Sequence, residues 1–274
     1  MGVWPRHGWV GLALIATAWP LNWGLSGLRT HFLFFPLWLG YILTVDALTL
    51  QRTGSSLLHR SGRSFLELFV LSVPLWWLFE LVNLRLHNWE YLGREQFSDL
   101  EYAVLCSLSF STVVPAVLGT AELMRSLPWM KRFARGPRLR ATPRFLATLA
   151  ILGALMLGAL ILWPRACYPL VWVSGVLLCE PLCVVLARRS LLTDLERGDW
   201  RLWMSLWSGV LACAFFWEMW NYWSYPKWVY HIPGVGFARL FEMPILGYLG
   251  YLPFSLELYL FQQLLIPRIP QRSP

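Results

Sequence analysis

The chain has 274 residues, of which 57% are hydrophobic and 14% are charged, and its mean hydropathy is +0.50. Soluble domains carry about 25% charged residues, so this composition excludes an ordinary soluble globular protein. The formal net charge of +8 does not indicate a nucleic-acid-binding protein, because the basic residues are segregated into alternate loops of the chain.

Eight apolar runs follow one another along the chain, each close to the roughly 20 residues that cross about 30 Å of hydrocarbon as a helix. They lie at about 8–26, 31–50, 64–84, 101–124, 145–163, 167–187, 202–223 and 241–266. The sequence therefore predicts an all-α, polytopic membrane protein with about eight transmembrane helices.

The first apolar run has one alternative interpretation. The A-T-A sequence at 16–18 resembles the cleavage site of a secretory signal peptide. The Trp-Pro pair at 19–20, which would follow the cleavage, recurs at 163–164 at the end of the fifth run. This recurrence favours a retained helix.

The loops between the runs differ in their basic residues. Of the 23 Lys and Arg residues, 17 fall in the N-terminus, the C-terminal tail and the connections at 51–63, 125–144 and 188–201. The alternate connections carry the other 6. Because Lys and Arg concentrate in cytoplasmic loops, both termini and the 125–144 segment are predicted to be cytoplasmic. The predicted location is a bacterial cytoplasmic (inner) membrane.

The chain also carries an internal duplication. The matched positions are Trp38 with Trp172, Asp46 with Glu180, Glu80 with Glu218 and Asn83 with Asn221, at offsets of 134 for the first two pairs and 138 for the last two. We predict a first four-helix repeat over 1–124, a basic linker over 125–144 and a second four-helix repeat over 145–274. An even number of spans per repeat makes the two repeats parallel.

Two duplicated acids lie deep in aromatic sequence. Glu80 and Glu218 are each followed three residues later by an asparagine, Asn83 and Asn221. A charge at the centre of a membrane helix costs about 2.5–3.5 kcal/mol, and an apolar environment favours the protonated form of a carboxylic acid. Both acids are therefore candidate proton donors, with the asparagines on the same helix face to orient them. The alternative is that they form interhelical hydrogen bonds that join the two halves.

The remaining acids and the cysteines have simpler interpretations. Asp46, Glu122, Glu180 and Glu257 are expected near cytoplasmic helix ends, whereas Glu67 has no counterpart in the other half. The five cysteines are scattered and no His or Cys set has metal-ligand spacing, so neither a metal nor a cofactor is predicted.

Each half presents the same order of features: an acid that closes one span, an aromatic W-x-Y element, a second acid that opens the next span, a proline within that span and a final acid. In the first half these are Glu80, Trp89-Glu90-Tyr91, Glu101, Pro115 and Glu122, and in the second half Glu218, Trp228-Val229-Tyr230, Glu242, Pro253 and Glu257. This order resembles the membrane-integral lycopene cyclase domain of the heterodimeric bacterial, archaeal and fungal carotenoid cyclases. The resemblance covers roughly 35–122 and 168–260, and the chain departs from the family by an extra leading span in each half.

The resemblance implies acid-catalysed cyclisation of a linear carotenoid or other isoprenoid polyene without net redox change, an isomerase-type activity. Glu80 and Glu218 would act as acids or stabilise the cation, Glu101 and Glu242 would be partner acids or bases, and Asn83 and Asn221 would orient them. Aromatic faces would stabilise a carbocation. The expected aromatic residues are Trp77, Trp89, Tyr91, Trp217, Trp228 and Tyr230. The implied partners are the lipid bilayer and a hydrophobic isoprenoid ligand.

Two other classes of function fit the same sequence. Intramembrane acids in a pseudo-two-fold bundle are also found in proton- or cation-coupled transporters. A non-catalytic pigment- or lipid-binding subunit of a larger membrane complex would likewise be rich in aromatic residues. Carotenoid absorption of the purified protein, proton-dependent uptake in liposomes and co-purifying subunits would distinguish the three.

Overall fold

A computed structural model of the protein describes residues 3–267. Its α-helices are Arg6–Gly24 (α1), Thr30–Thr53 (α2), Leu57–Arg60 (α3), Gly62–Leu86 (α4), Asp99–Phe110 (α5), Val113–Arg125 (α6), Pro143–Leu162 (α7), Pro164–Cys167 (α8), Val171–Val185 (α9), Leu191–Leu195 (α10), Arg201–Tyr222 (α11) and Tyr248–Leu265 (α12). Its strands are Trp89–Leu92 (β1), Lys227–Tyr230 (β2), Arg239–Leu240 (β3) and Met243–Pro244 (β4). The end of the predicted second repeat, with the two basic residues of the tail, lies outside the described residues.

Six helical segments within residues 3–267 are long and apolar enough to cross a membrane. They are His31–Thr53, Gly62–Leu86, Asp99–Arg125, Pro143–Leu162, Pro164–Val185 and Arg201–Tyr222. The prediction of a helical, multi-pass membrane protein is confirmed, whereas the count of eight is not. Helices α1 and α12 occupy most of the first and eighth predicted spans but are not among the six. The eighth helix begins at Tyr248 rather than near 241, because β4 and a 3₁₀ turn precede it.

The fourth predicted span is broken into α5 and α6. Pro115 has no N–H to donate to the carbonyl of Ser111, so a regular helix cannot continue through this point. The hydroxyl of Ser72 on α4 bridges the break: it donates to the carbonyl of Phe110 at 2.5 Å and accepts from the N–H of Val114 at 3.1 Å. The bend is therefore held by a neighbouring helix.

The helix ends follow ordinary capping chemistry. Ser98 and Glu101 form a capping box at the start of α5, in which each side chain binds the other residue's backbone N–H. Helix α2 ends at Thr53 and is capped by Gly54, whose φ of 71° glycine adopts without strain. The carboxylate of Glu101 therefore serves as a cap at the start of α5.

The two ends of the helical bundle differ in structure. At one end, which we call the ribbon end, β1 follows α4 and β2 follows α11, and the two strands pair antiparallel. At the other end, the linker end, the backbone of the 126–142 segment binds the residues just before α11: Gly136 N–H binds the Gly198 carbonyl and Trp200 N–H binds the Phe133 carbonyl. All six strongly apolar segments run between these ends.

The core lies between the helices of the two halves. Its fully buried side chains include Leu37, Trp38, Leu68, Val114, Val210, Trp220 and Leu258. Helix α6 packs against α11 so closely that a Cβ at Gly209 would lie 2.7 Å from the backbone N of Ala121. Small residues permit such close helix crossings in membranes. Helix α7 packs on α9 and exposes most of its surface, which suits contact with lipid.

The acids at the linker end have structural partners. Asp46 accepts hydrogen bonds from Ser56 Oγ (2.7 Å) and Leu58 N–H (3.1 Å). Glu180 accepts from the N–H groups of Leu191 (3.0 Å) and Leu192 (2.8 Å). Each carboxylate therefore caps a short helix, α3 or α10, which satisfies backbone donors at a helix start.

The other acids of this group differ from one another. Glu122 forms a two-pronged ion pair with Arg60, at 2.6 and 2.7 Å. Glu67 binds Arg63 one helical turn away at 2.9 Å on the surface of α4. Glu257 is buried against Gly175 of α9, where an added Cβ would lie 1.7 Å from its Oε1.

Candidate functional site

A cavity of about 460 Å³ lies next to the ribbon, between helices of both halves. Its wall is mainly apolar and rich in aromatic rings, which include Trp76, Trp89, Trp172, Trp217, Trp228 and Phe254. Small-molecule pockets in proteins are typically apolar concavities of roughly 300–1,000 Å³. The cavity has the size and surface of a site for a hydrophobic ligand.

The ribbon forms one side of this cavity. Trp89 pairs with Tyr230 and Tyr91 pairs with Trp228, so the register is symmetric about the pair Glu90 and Val229. Because alternate residues of a strand share a face, the four aromatic side chains lie together and all line the cavity. The two W-x-Y elements predicted as parts of one site are thus in direct contact.

Glu80 lies beside β1 and binds three aromatic donors. Its Oε1 accepts from Trp76 Nε1 (2.9 Å), Trp89 Nε1 (3.1 Å) and Tyr91 Oη (2.6 Å). The carboxylate is half-buried and is separated from the cavity by these rings, which line it. Glu80 therefore fixes the orientation of three side chains of the wall.

Glu218 occupies the corresponding place beside β2. Its Oε1 accepts from Tyr230 Oη and Tyr251 Oη, both at 2.7 Å, and Tyr230 Oη in turn accepts from Trp228 Nε1 at 2.9 Å. The residue is fully buried, and its Oε2 has no hydrogen-bond partner among residues 3–267. A carboxyl oxygen without a partner in a buried setting is unusual, since most buried polar atoms are paired.

Asn83 and Asn221 bind the strands rather than the acids. Asn83 Nδ2 donates to the carbonyl of Trp89, and Asn221 Nδ2 donates to the carbonyl of Trp228, both at 2.8 Å. The side-chain oxygens accept from the N–H groups of Asn88 and Trp228, both at 2.9 Å. The asparagines thus anchor the ribbon to the ends of α4 and α11, and through it they position the aromatic residues that contact the acids.

Three other predicted site residues lie away from the cavity wall. Glu101 is exposed and caps α5. Glu242 forms an ion pair with Lys227. Trp77 donates its Nε1 to Ser107 Oγ at 2.9 Å. Trp217, in contrast, lines the cavity and stacks on Tyr251 with ring centroids 6.0 Å apart.

Several residues of the site are not among the predicted site residues. Trp76 precedes Glu80 by four residues, a helical spacing at which side chains meet, so this contact was open to prediction. Tyr251 lies in an aromatic series with Tyr248 and Phe254 at intervals of three residues, which marks one face of α12. Trp172 stacks between Phe79 (5.3 Å) and Trp89 (6.5 Å), and no local pattern indicates that contact.

The tyrosines of the ribbon are protonated donors. Burial, and secondarily the neighbouring carboxylates, raise the pKa of the Tyr91 and Tyr230 hydroxyls well above the ordinary value. Both hydroxyls therefore keep their protons through the physiological range and continue to donate to Glu80 and Glu218. Within residues 3–267 no three His, Cys, Asp or Glu side chains are grouped as a metal site.

Comparison with protein-family models, with curated proteins and with solved structures finds no match for this chain. The resemblance to the lycopene cyclase domain accordingly stays a prediction from sequence. The fold and the site define a class: a multi-pass helical membrane protein with an aromatic cavity beside two carboxylates.

Proposed function

We propose that the protein binds a hydrophobic ligand of isoprenoid or carotenoid type in the aromatic cavity. The observation that carries this proposal is the concentration of Trp, Tyr and Phe rings around one apolar cavity beside the ribbon. Aromatic faces offer large apolar contact areas and also attract cations. A linear polyene would contact the rings through its apolar surface, and the carbocation formed during its cyclisation would be attracted to the ring faces.

The reaction that we propose is the acid-catalysed cyclisation of such a polyene, as in lycopene cyclases. A proton adds to a terminal double bond, the resulting tertiary cation is attacked by a second double bond to close the ring, and a neighbouring C–H gives up its proton. One proton enters and one leaves, so no oxidant or reductant is consumed.

We assign the role of proton donor to Glu218. Its Oε2 has no hydrogen-bond partner within the described part of the chain, whereas its Oε1 binds two tyrosines that line the cavity. For this transfer the hydroxyl of Tyr230 or Tyr251 rotates, gives its own proton to the polyene and accepts the carboxyl proton from Glu218 Oε1. The proton released after ring closure returns to the carboxylate by the reverse of this route. Glu80 provides a second carboxylate on the other side of the ribbon, where it stabilises the cation.

A second candidate function is ligand binding without chemistry, in a pigment- or lipid-binding subunit. One observation favours it: neither Glu80 nor Glu218 lines the cavity, since aromatic rings stand between each carboxylate and the cavity. Proton transfer must then cross a tyrosine hydroxyl, whereas binding requires only the rings.

One experiment on the purified protein distinguishes catalysis from binding alone. The full-length protein is purified from a lycopene-accumulating host, and the extracted pigment and lipid are identified by mass spectrometry. Cyclised carotenoid supports catalysis, and unchanged polyene supports binding alone. The absence of any isoprenoid, together with no change of added lycopene, would contradict the proposal.

The proposed architecture has eight spans in two parallel repeats. We place the protein in a bacterial inner membrane, with both termini and the linker end on the cytoplasmic side. The matching contacts of Asn83 and Asn221 with the two strands and the symmetric register of the ribbon support the repeats. The concentration of Lys and Arg in the linker-end loops supports the orientation.

Cysteine labelling tests this orientation. In a variant without native cysteines, an impermeant maleimide applied outside the cell should label Glu95→Cys and spare Arg138→Cys; the reverse pattern would overturn the orientation.

A further inference from the structure

A second concave surface at the ribbon end is not used by the proposed function. It is a groove between the end of α4 and the start of α8, closed on one side by the chain after β2. Four side chains that carry or can gain a positive charge line it: Arg85, His87, Arg165 and His231. We call it the cationic groove.

The charges of the groove are mostly unpaired. Neither Arg85 nor Arg165 has a hydrogen-bond or ion-pair partner within residues 3–267, and both are exposed. The carboxylate that contacts the groove is Glu90, which lies 2.8 Å from His231 Nε2. The groove residues and Glu90 thus include two guanidinium groups and one carboxylate, so the groove keeps a positive charge even with both histidines neutral.

The arginines come from segments that are far apart in sequence. Arg85 lies in the last turn of α4 and Arg165 lies in α8, about eighty residues later. Six basic residues lie outside the linker-end loops, the N-terminus and the tail, and two of the six meet in this groove. Their convergence is a product of the fold, unlike a run of basic residues along one loop.

The position of the groove also points to a ligand. Trp163 lines it and is 61% exposed, as expected of a tryptophan at the level of lipid head groups. The groove is next to the aromatic cavity, since Asn88 and Ile232 line the cavity while the adjacent His87 and His231 line the groove. A charged group held here would sit beside an apolar site at a membrane boundary.

We propose that the cationic groove binds a phosphate group. Arginine guanidinium groups bind phosphate oxygens through paired N–H donors, and the imidazoles add further donors. The phosphate belongs either to the head group of an anionic lipid or to a free phosphate compound. Binding here depends on Arg85 and Arg165 and does not require the proposed reaction in the cavity.

Binding is measured by native mass spectrometry and by titration of the full-length protein in a neutral detergent. The probes are inorganic phosphate, dihexanoyl phosphatidic acid and dihexanoylglycerol, which has the same chains without the phosphate. The variants are R85Q, R165Q and R85Q/R165Q, and the control is R239Q, an exposed arginine of β3 at the ribbon end but outside the groove. Size-exclusion profiles and thermal unfolding show that each variant is folded.

The expected result is that phosphatidic acid binds, dihexanoylglycerol does not, and the double variant weakens binding by about tenfold or more. Each single variant gives a smaller loss, and R239Q and Glu218→Gln leave the affinity unchanged. Equal affinity for inorganic phosphate identifies a free phosphate compound as the source, and clearly weaker affinity identifies a lipid. No binding of either phosphate probe, or an equal loss in R239Q, would overturn the proposal.

Discussion

The two carboxylates beside the ribbon share one kind of support but differ in their donors. Asn83 and Asn221 hold the two strands by the same contact, a side-chain amide on a tryptophan carbonyl. Glu80 then binds two indoles and a tyrosine through one oxygen and is half-buried, whereas Glu218 binds two tyrosines through one oxygen and its second oxygen is buried without a partner in the described chain. The repeated motif thus reproduces the scaffold and not the chemical environment of the acid.

The sequence shows where the surroundings of the two acids differ. At the offset of 138 that relates Glu80 to Glu218, Trp76 corresponds to Ala214, and Tyr251 corresponds to Val113. Each half therefore supplies its additional donor from a different helix, α4 in the first and α12 in the second. The contrast teaches that two acids with the same local motif can have different hydrogen-bond donors when one or two residues of the neighbouring helices differ.

The largest expected effect separates the two acids. Glu218→Gln should lower the rate of cyclisation by about 10²–10⁴-fold, the range for loss of a general acid. Glu80→Gln should lower it by about tenfold, equal to about 1.4 kcal/mol of barrier. Cyclised product is quantified by chromatography in a lycopene-accumulating host. Glu67→Gln, on the surface of α4, is the matched control and should keep full activity; equal losses for Glu80→Gln and Glu218→Gln would break the comparison.

The shared support should give equal losses of stability. Asn83→Ala and Asn221→Ala each remove two hydrogen bonds to the backbone of a strand or of the residue just before it and leave backbone groups unpaired, so we expect a loss of about 1–3 kcal/mol in the free energy of unfolding. Denaturant unfolding in detergent micelles measures it, with the exposed Glu95→Ala as a control. If only one asparagine mattered, the two halves would not share a scaffold.

The donors that differ between the halves should have smaller effects. Tyr251→Phe removes one donor from Glu218, and Trp76→Phe removes one from Glu80. After these changes Glu80 retains two donors and Glu218 retains one. Tyr251→Phe should therefore lower the free energy of unfolding by about 0.5–1.5 kcal/mol, and Trp76→Phe should lower it by less. The same unfolding assay applies. A larger loss in Trp76→Phe would show that ring packing outweighs the hydrogen bonds.

The smallest expected effect concerns pH. Burial raises the pKa of Tyr91 and Tyr230 above the ordinary value of 10.0 in the folded protein, whereas the unfolded chain ionises near that value. The resulting stability is complete below about pH 10 and falls as the pH rises further, since the unfolded state then loses protons that the folded state retains. Stability measured between pH 9 and about 11 should fall less steeply in Tyr91→Phe/Tyr230→Phe than in the wild type. Parallel curves would contradict the burial of the two hydroxyls.

Composition and local pattern determined the class of this protein. Long apolar runs leave few alternatives to membrane-spanning helices, because a helix satisfies its own backbone hydrogen bonds in lipid. The recurrence of Glu80 and Asn83 as Glu218 and Asn221 likewise identified the two regions that meet at the cavity. These features depend on neighbours close in sequence and are therefore visible without a structure.

Only the tertiary structure decided which partner each polar side chain has. Asn221 binds the Trp228 backbone rather than Glu218, Glu242 binds Lys227, and Tyr251 reaches Glu218 from 33 residues away. A hydrogen bond acts over about 3 Å, so a shift of one helical turn exchanges one partner for another. Spacing along the chain places residues on a helix face, but the packing of α4, α11 and α12 around the ribbon determines which of those faces meet.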